Sequence, residues 1–240
     1  MIEIRKANER GRASFGWLKS LHTFSFGHYH DPKQMGFSAL RVINDDRVTP
    51  GAGFAPHGHR DMEILTYVLQ GRIAHRDSEG NVAHLPAGEF QLMSAGSGIT
   101  HSEYNASDSE HLHFLQIWIL PDVYGQSPGY QQKDFGQKPG LTLVASPDGA
   151  ADSLVIKQKM KLYQLLLEPG ETLNLDSDIN RRYYLHLIDG DLKIEGLSVD
   201  GPVSAEEIMH PGDGVRLGEL TQLQLTAGEE PIRALLFDLP

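Results

Sequence analysis

Gly51-Ala-Gly-Phe-Ala-Pro-His57-Gly-His59-Arg-Asp-Met-Glu63 and Gly96-Ser-Gly98-Ile-Thr-His101-Ser-Glu103-Tyr-Asn105 are the two stretches whose reading decides the fold. Side chains alternate across a β-strand, so residues two apart share a face. His57 and His59 therefore project together, as do His101 and Glu103. If the two strands face each other inside a barrel, three imidazoles and one carboxylate converge on a point. Imidazole suits zinc, copper, iron and nickel, and a carboxylate adds charge and hardness.

Spacing alone does not select this pair of histidines, because His28/His30 and His111/His113 have the same His-x-His spacing. The surroundings separate them. A Gly- and Pro-rich approach precedes His57, and the β-branched and apolar run Ile64-Leu-Thr-Tyr-Val-Leu69 follows His59. A turn at Gly71 comes next, and the His101-x-Glu103 pair lies about one hairpin pair further on. His28 and His30 sit beside Asp31-Pro32, which favours a turn, and read as loop polarity.

The same residues resemble the two motifs of the cupin superfamily. Gly51, His57, His59 and Glu63 fit the first, with the turn glycine Gly71 one position late. Gly98, His101 and Asn105 fit the second, with Gly96 where cupins usually carry proline. Within the cupins, Thr23-Phe-Ser-Phe-Gly27, Thr66-Tyr-Val-Leu-Gln-Gly71 and Met93 to Glu103 resemble the pirin family, closest to its bacterial quercetinase-like branch. The resemblance is strong over roughly residues 12 to 121. It implies an all-β bicupin of two tandem antiparallel jelly-roll barrels. Glu63 has the position of the ligand in many cupins. The pirin resemblance instead implies Glu103 as the fourth ligand, with Glu63 orienting His57 or His59 from behind.

Composition is consistent with this architecture. A chain of 240 residues can bury two small cores. Apolar residues make up 40%, and 25 glycines with 13 prolines suit short strands joined by many turns. Cysteine is absent, which excludes disulfides and thiolate ligands. Neither a signal-peptide core nor an apolar run of about 18 residues is present, so a soluble cytoplasmic protein without membrane contact is expected. With 21 basic against 32 acidic residues the net charge is −11, which disfavours direct nucleic-acid binding.

Along the chain, residues 6 to 20 read as an irregular arm, Phe37 to Asn44 as a strand, and Asp45-Asp46 as a turn. His75 and His84 flank one hairpin, where surface cross-strand pairing is the simplest role. Both faces of His111 to Leu120 are largely apolar, as in a strand between two layers, and alternation does not say which lines a pocket. The Gly-, Pro- and Gln-rich segment from Tyr124 to Gly140 loses periodicity and reads as the connection between halves. The expected domains are 1–130, carrying the metal site, and 131–240, without one. The second half looks like a worn repeat: Tyr184 to Leu192 matches Thr66 to Ile73, but only Asp176-Ser-Asp178 stands where the first half has His-x-His. His186, in an apolar strand, reads as a core histidine.

A site of three histidines and one carboxylate leaves one or two coordination positions open, the mark of catalysis. Iron, nickel, copper, cobalt, manganese and zinc all accept such ligands. The quercetinase-like resemblance implies a dioxygenase that opens flavonols such as quercetin with O₂, releasing carbon monoxide, with Glu103 as both ligand and general base. Two alternatives stand beside it. One is a metal-dependent module with a protein partner, as eukaryotic pirins acting as transcription cofactors suggest. The other is a further cupin activity on a small molecule.

Overall fold

The computed structural model describes residues 1–204 and 208–240. Among them every strand pairing is antiparallel, and the helical content is two three-residue 3-10 turns. No described helix is long and apolar enough to cross a membrane. The contacts divide into two compact units, residues 10–136 with 154–158, and residues 1–9 with 137–153 and 159–240.

The first unit is one antiparallel sheet. Its strands are β2 (Gly11–Ser14), β3 (Leu18–His22), β4 (Leu40–Val48), β5 (Gly53–Gln70), β6 (Arg72–Asp77), β7 (Val82–Pro86), β8 (Glu89–Asn105), β9 (Leu112–Ile119) and β10 (Gly129–Asp134). They run in the order β2-β3-β4-β9-β5-β8-β6-β7, and β10 pairs with β8. Residues 154–158, with the short strand β12 (Leu154–Val155), group with this unit without being part of that sheet.

Three local expectations are corrected. The arm at residues 6 to 20 contains the hairpin β2-β3. The Gln-rich connection contains β10, whose Gln132 lies opposite Gln91. Asp45-Asp46 is not a turn, because β4 runs through it to Val48. Alternation then sends the two aspartates to opposite faces. Asp45 meets His113 at 2.7 Å, Arg47 at 3.0 Å and Arg10 at 3.3 Å. Asp46 turns inward opposite Ser20 and Phe114.

The even positions of β9 face the interior. Leu112 and Phe114 join a cluster with Val68, Ile73 and Leu85, while Gln116 and Trp118 line a cavity. Leu115, Ile117 and Ile119 on the other face are buried as well. The strand is therefore covered on both sides, as its sequence suggests.

The second unit contains β1 (Ile2–Arg5), β11 (Gly140–Ser146), β13 (Lys161–Leu167), β14 (Thr172–Asp176), β15 (Arg182–Asp189), β16 (Leu192–Ser198), β17 (Gly201–Ser204), β18 (Gly214–Gly218), β19 (Gln222–Ala227) and β20 (Ile232–Leu239). One sheet has the order β1-β18-β15-β20-β13-β11, and a four-stranded sheet has the order β14-β19-β16-β17. Leucine and isoleucine side chains from both fill one core, which includes Leu185, Leu187, Ile194, Val215 and Leu225. His186 is buried in β15, where its apolar neighbours place it. The N-terminal strand β1 pairs with β18, with Ile4 opposite Val215, so the first nine residues belong to this unit and not to the one that follows them in sequence.

Gly214 faces a fixed neighbour. A Cβ there would lie 2.0 Å from the hydroxyl of Tyr184, whose ring is fully buried. Gly214→Ala is expected to destabilise the protein by about 1–3 kcal/mol in urea unfolding, the usual cost of overpacking, with metal content unchanged.

Candidate metal centre

The centre is built by β5 and β8. His57 lies directly opposite His101, and His59 opposite Ile99. The register slips between Phe54 and His57 and again between His59 and Asp61, so a short in-register window holds the histidines between two irregularities. Asp61 and Gly96 face each other at the second slip with φ of 65° and 49°. Gly96 also approaches the next segment closely, since a Cβ there would lie 2.1 Å from the Gln126 carbonyl oxygen. Proline could not adopt that positive φ, which accounts for glycine at this position.

The three rings form a triangle, with centroids 4.5 Å apart for His57–His101, 4.8 Å for His57–His59 and 4.9 Å for His59–His101. His57 Nδ1 lies 2.8 Å from the Ala55 carbonyl oxygen and donates to it, which leaves Nε2 as the bare nitrogen. That Nε2 faces His101 Nε2 at 3.1 Å. Burial, reinforced by His57, holds His59 down to about 4 and His101 down to about 3. Near neutrality both are therefore uncharged, the form that binds metal. Three imidazoles gathered in a partly buried triangle, their donor nitrogens close together, fit a divalent transition ion.

Glu103 lies deeper, on the same face of β8 two residues on from His101. It is 2% exposed; Gln116 Nε2 donates to its Oε2 at 3.0 Å, and Oε1 has no partner. Burial pushes its carboxyl up to about 7, with neighbouring Asp46 adding to the effect and Gln91 and Gln116 opposing it. The donor atoms of His57, His59 and His101 group together, while the Glu103 carboxylate groups with His101 and His75.

His75 is therefore a member of the site that surface pairing does not explain. It is buried, lies opposite Glu103 rather than His84, and has its ring 5.5 Å from that of His101. Its Nε2 lies 2.9 Å from Asp77 Oδ2, and Asp77 is fixed in turn by Asn81. The alternation Ile73, His75, Asp77 on β6 was the available signal, but the pairing partner across 28 residues was not. Glu63 also departs from expectation. It is fully buried, and its Oε2 accepts from Ser94 Oγ at 2.9 Å and the Lys157 backbone N–H at 3.1 Å, with neither histidine among its partners.

Beside the histidines opens a cavity of about 600 Å³. Phe15, Leu18, Phe26, Phe54 and Trp118 supply apolar wall, and His57 and His59 lie on its lining. Trp118 stacks edge-on against His59 at 5.1 Å and against Phe26 at 5.3 Å. His28 lines the same cavity, whereas His111 is exposed and His113 is engaged by Asp45 on the outer face.

A row of polar residues crosses the sheet through the interior. His22 pairs with Asn44, Asn44 with Gln116, Gln116 with Thr66, and Thr66 with Gln91. All five are buried. His22 Nδ1 lies 2.7 Å from Asn44 Oδ1, and the Tyr130 hydroxyl lies 3.1 Å from Gln91 Oε1. This belt holds Glu103 from below through Gln116.

The pirin family profile matches residues 3–119, and a profile described as the quercetinase C-terminal cupin domain matches residues 143–239. A protein of Escherichia coli (strain K12) named quercetin 2,3-dioxygenase is 47% identical over 240 residues, covering 100% of this chain and 99% of its own. The crystal structure of the bacterial pirin YhhW of Escherichia coli in complex with nickel(II) superposes with a TM-score of 0.92 at 47% identity, covering 100% of this chain and 99% of that one. Quercetin 2,3-dioxygenase from Acinetobacter baumannii shares the fold at 18% identity, with a TM-score of 0.75 over 99% of this chain and 78% of that one.

Asp46 and Asp45 give opposite pH signatures. Burial pushes Asp46 up to about 7 from 3.8, helped by the Asp45 charge. Its contribution to stability is complete below the unfolded value and is lost as pH rises through about 7. For Asp45, burial is outweighed by His113, Arg47 and Arg10, so its pKa falls and its contribution is lost in acid. In chelator-treated protein, Asp46→Asn should remove a decline in unfolding free energy between pH 5 and pH 8 on the order of 2–4 kcal/mol. An unchanged profile by urea denaturation would contradict the burial assigned to Asp46.

Proposed function

The chain belongs to the pirin family of the cupin superfamily, and on that premise we propose that it is a metal-dependent dioxygenase of the cytoplasm that cleaves flavonols such as quercetin. The reaction consumes one O₂ and yields a depside and carbon monoxide. The observation that carries the reading is three imidazoles, those of His57, His59 and His101, converging beside a buried carboxyl at the wall of an aromatic-lined cavity. His57, His59 and His101 hold the ion, with Glu103 as the fourth ligand.

A divalent transition ion in this position supplies a Lewis acid that makes a flavonol hydroxyl easier to deprotonate. Glu103 receives that proton at Oε1, the oxygen without a hydrogen-bond partner, while Gln116 keeps Oε2 in place. Without the ion, burial raises the affinity of this carboxyl for a proton, the direction a general base needs. Asp77 and His75 stand behind His101 and Glu103 and limit their movement. Phe26, Phe54 and Trp118 keep water from the flat substrate.

The His57→Ala/His101→Ala protein should lose its metal by elemental analysis, whereas replacement of His111 should leave occupancy unchanged. Full occupancy in the double variant would remove the ligand assignment.

Glu103→Gln keeps the size and one oxygen donor but is a far weaker base. It should retain part of its metal while oxygen uptake with quercetin falls by about 10² or more, the range for loss of a general base. Wild-type turnover in the metal-loaded Gln variant would reduce Glu103 to a ligand. Absence of oxygen uptake by the metal-loaded wild type with any flavonol would replace the dioxygenase with a metal-dependent binding module.

A further inference from the structure

The cavity beside the histidines has polar as well as apolar lining. Ser20 and His22 of β3 and Asn44 and Asp46 of β4 are all buried and all on its lining. His22 lies on Asn44 at 2.7 Å and on the Ser20 hydroxyl at 3.3 Å. Asp46 is different: it is 2% exposed, and although the Ser20 side chain bonds its carboxyl, Oδ1 has no hydrogen-bond partner. Buried polar atoms in folded proteins are nearly always paired, so an unpaired one on a cavity wall calls for a reason. The rest of the fold gives none, because the charges that satisfy Asp45 lie on the other face of β4.

We infer that Asp46 is a specificity-determining residue, which binds a ring hydroxyl of the phenolic substrate other than the one presented to the metal. This rests on the flavonol reading above and adds the group that recognises the remainder of the molecule. Apolar walls accept any flat aromatic of suitable size and discriminate weakly. A buried polar group built to pair with a substrate hydroxyl rejects an analogue lacking it, because the group is then left unpaired. Whether protonated or ionised, the Asp46 carboxyl can accept a hydrogen bond from a phenol O–H, and burial, which pushes it up to about 7, lets the protonated share donate as well. Asp46 does not touch the reacting atoms in this assignment, and its role is in binding.

Calorimetric binding of quercetin and of 3-hydroxyflavone, which has only the 3-hydroxyl, tests this on metal-loaded wild type, Asp46→Ala and Asp46→Asn. Quercetin should bind the wild type at least tenfold more tightly than 3-hydroxyflavone. Asp46→Ala should weaken quercetin alone and bring the ratio near unity. Asp46→Asn, which keeps a donor and an acceptor in the same shape, should restore most of the preference, an outcome that a merely structural role would not produce. Metal content and near-ultraviolet circular dichroism establish folding; if the alanine variant does not fold, Asp46→Val, apolar and closer in volume, gives the same readout. A wild-type ratio in the Ala or Val variant overturns the inference, as does equal or absent binding of the two compounds by the wild type. Oxygen uptake measured in parallel separates the two readings: a wild type that prefers quercetin through Asp46 but does not consume oxygen loses the dioxygenase assignment alone.

Discussion

His57 faces His101 because β5 and β8 are held in one antiparallel register between two slips, and the rest of the centre depends on that short window. A shift of a single residue would turn every side chain of a strand to the opposite face. Here it would carry His57 and His59 outward together and leave His101 without the other two imidazoles. The irregularities on either side, marked by the positive φ of Asp61 and Gly96, absorb the mismatch between the site and the long strands that carry it. The strain is thus placed at an irregularity of the strands outside the window that holds the histidines.

Below the histidines the interior of the first unit is unusually polar for a core. The belt from His22 to Gln91 uses hydrogen bonds where the second unit uses leucine and isoleucine. A buried polar network rigidifies a core when its members are satisfied and is costly where they are not. Gln116 is satisfied by Glu103 and Trp118, and Asn44 by His22. Among the described buried atoms without a hydrogen-bond partner are Thr66 Oγ1 and Gln91 Nε2 of the belt, and Glu103 Oε1 and Asp46 Oδ1 on two inward-facing carboxyls of the same unit. Each such atom left unpaired costs stability.

Asp45 and Asp46 make the same point within two residues. One carboxyl is surrounded by Arg10, Arg47 and His113 and stays ionised into strong acid; its neighbour, on the other side of the strand, is driven toward the neutral form. Residue type alone assigns them one pKa. Strand alternation assigns them two environments, and the environment decides the chemistry.

The period-two spacing of His57-x-His59 and His101-x-Glu103 was legible because it is a local property of any extended chain. The apolar run after Glu63, the turn glycines and the lack of cysteine likewise determined a strand-rich fold and a nitrogen–oxygen donor set. What lies across the strands was not legible. Glu103 meets His75, Glu63 turns to Ser94, and Asp46 enters the cavity through pairings between segments tens of residues apart. The inward face of β9 and the attachment of β1 to β18 are of the same kind. The physical reason is that sequence specifies which residues share a face of a strand, whereas register and sheet order decide what that face meets.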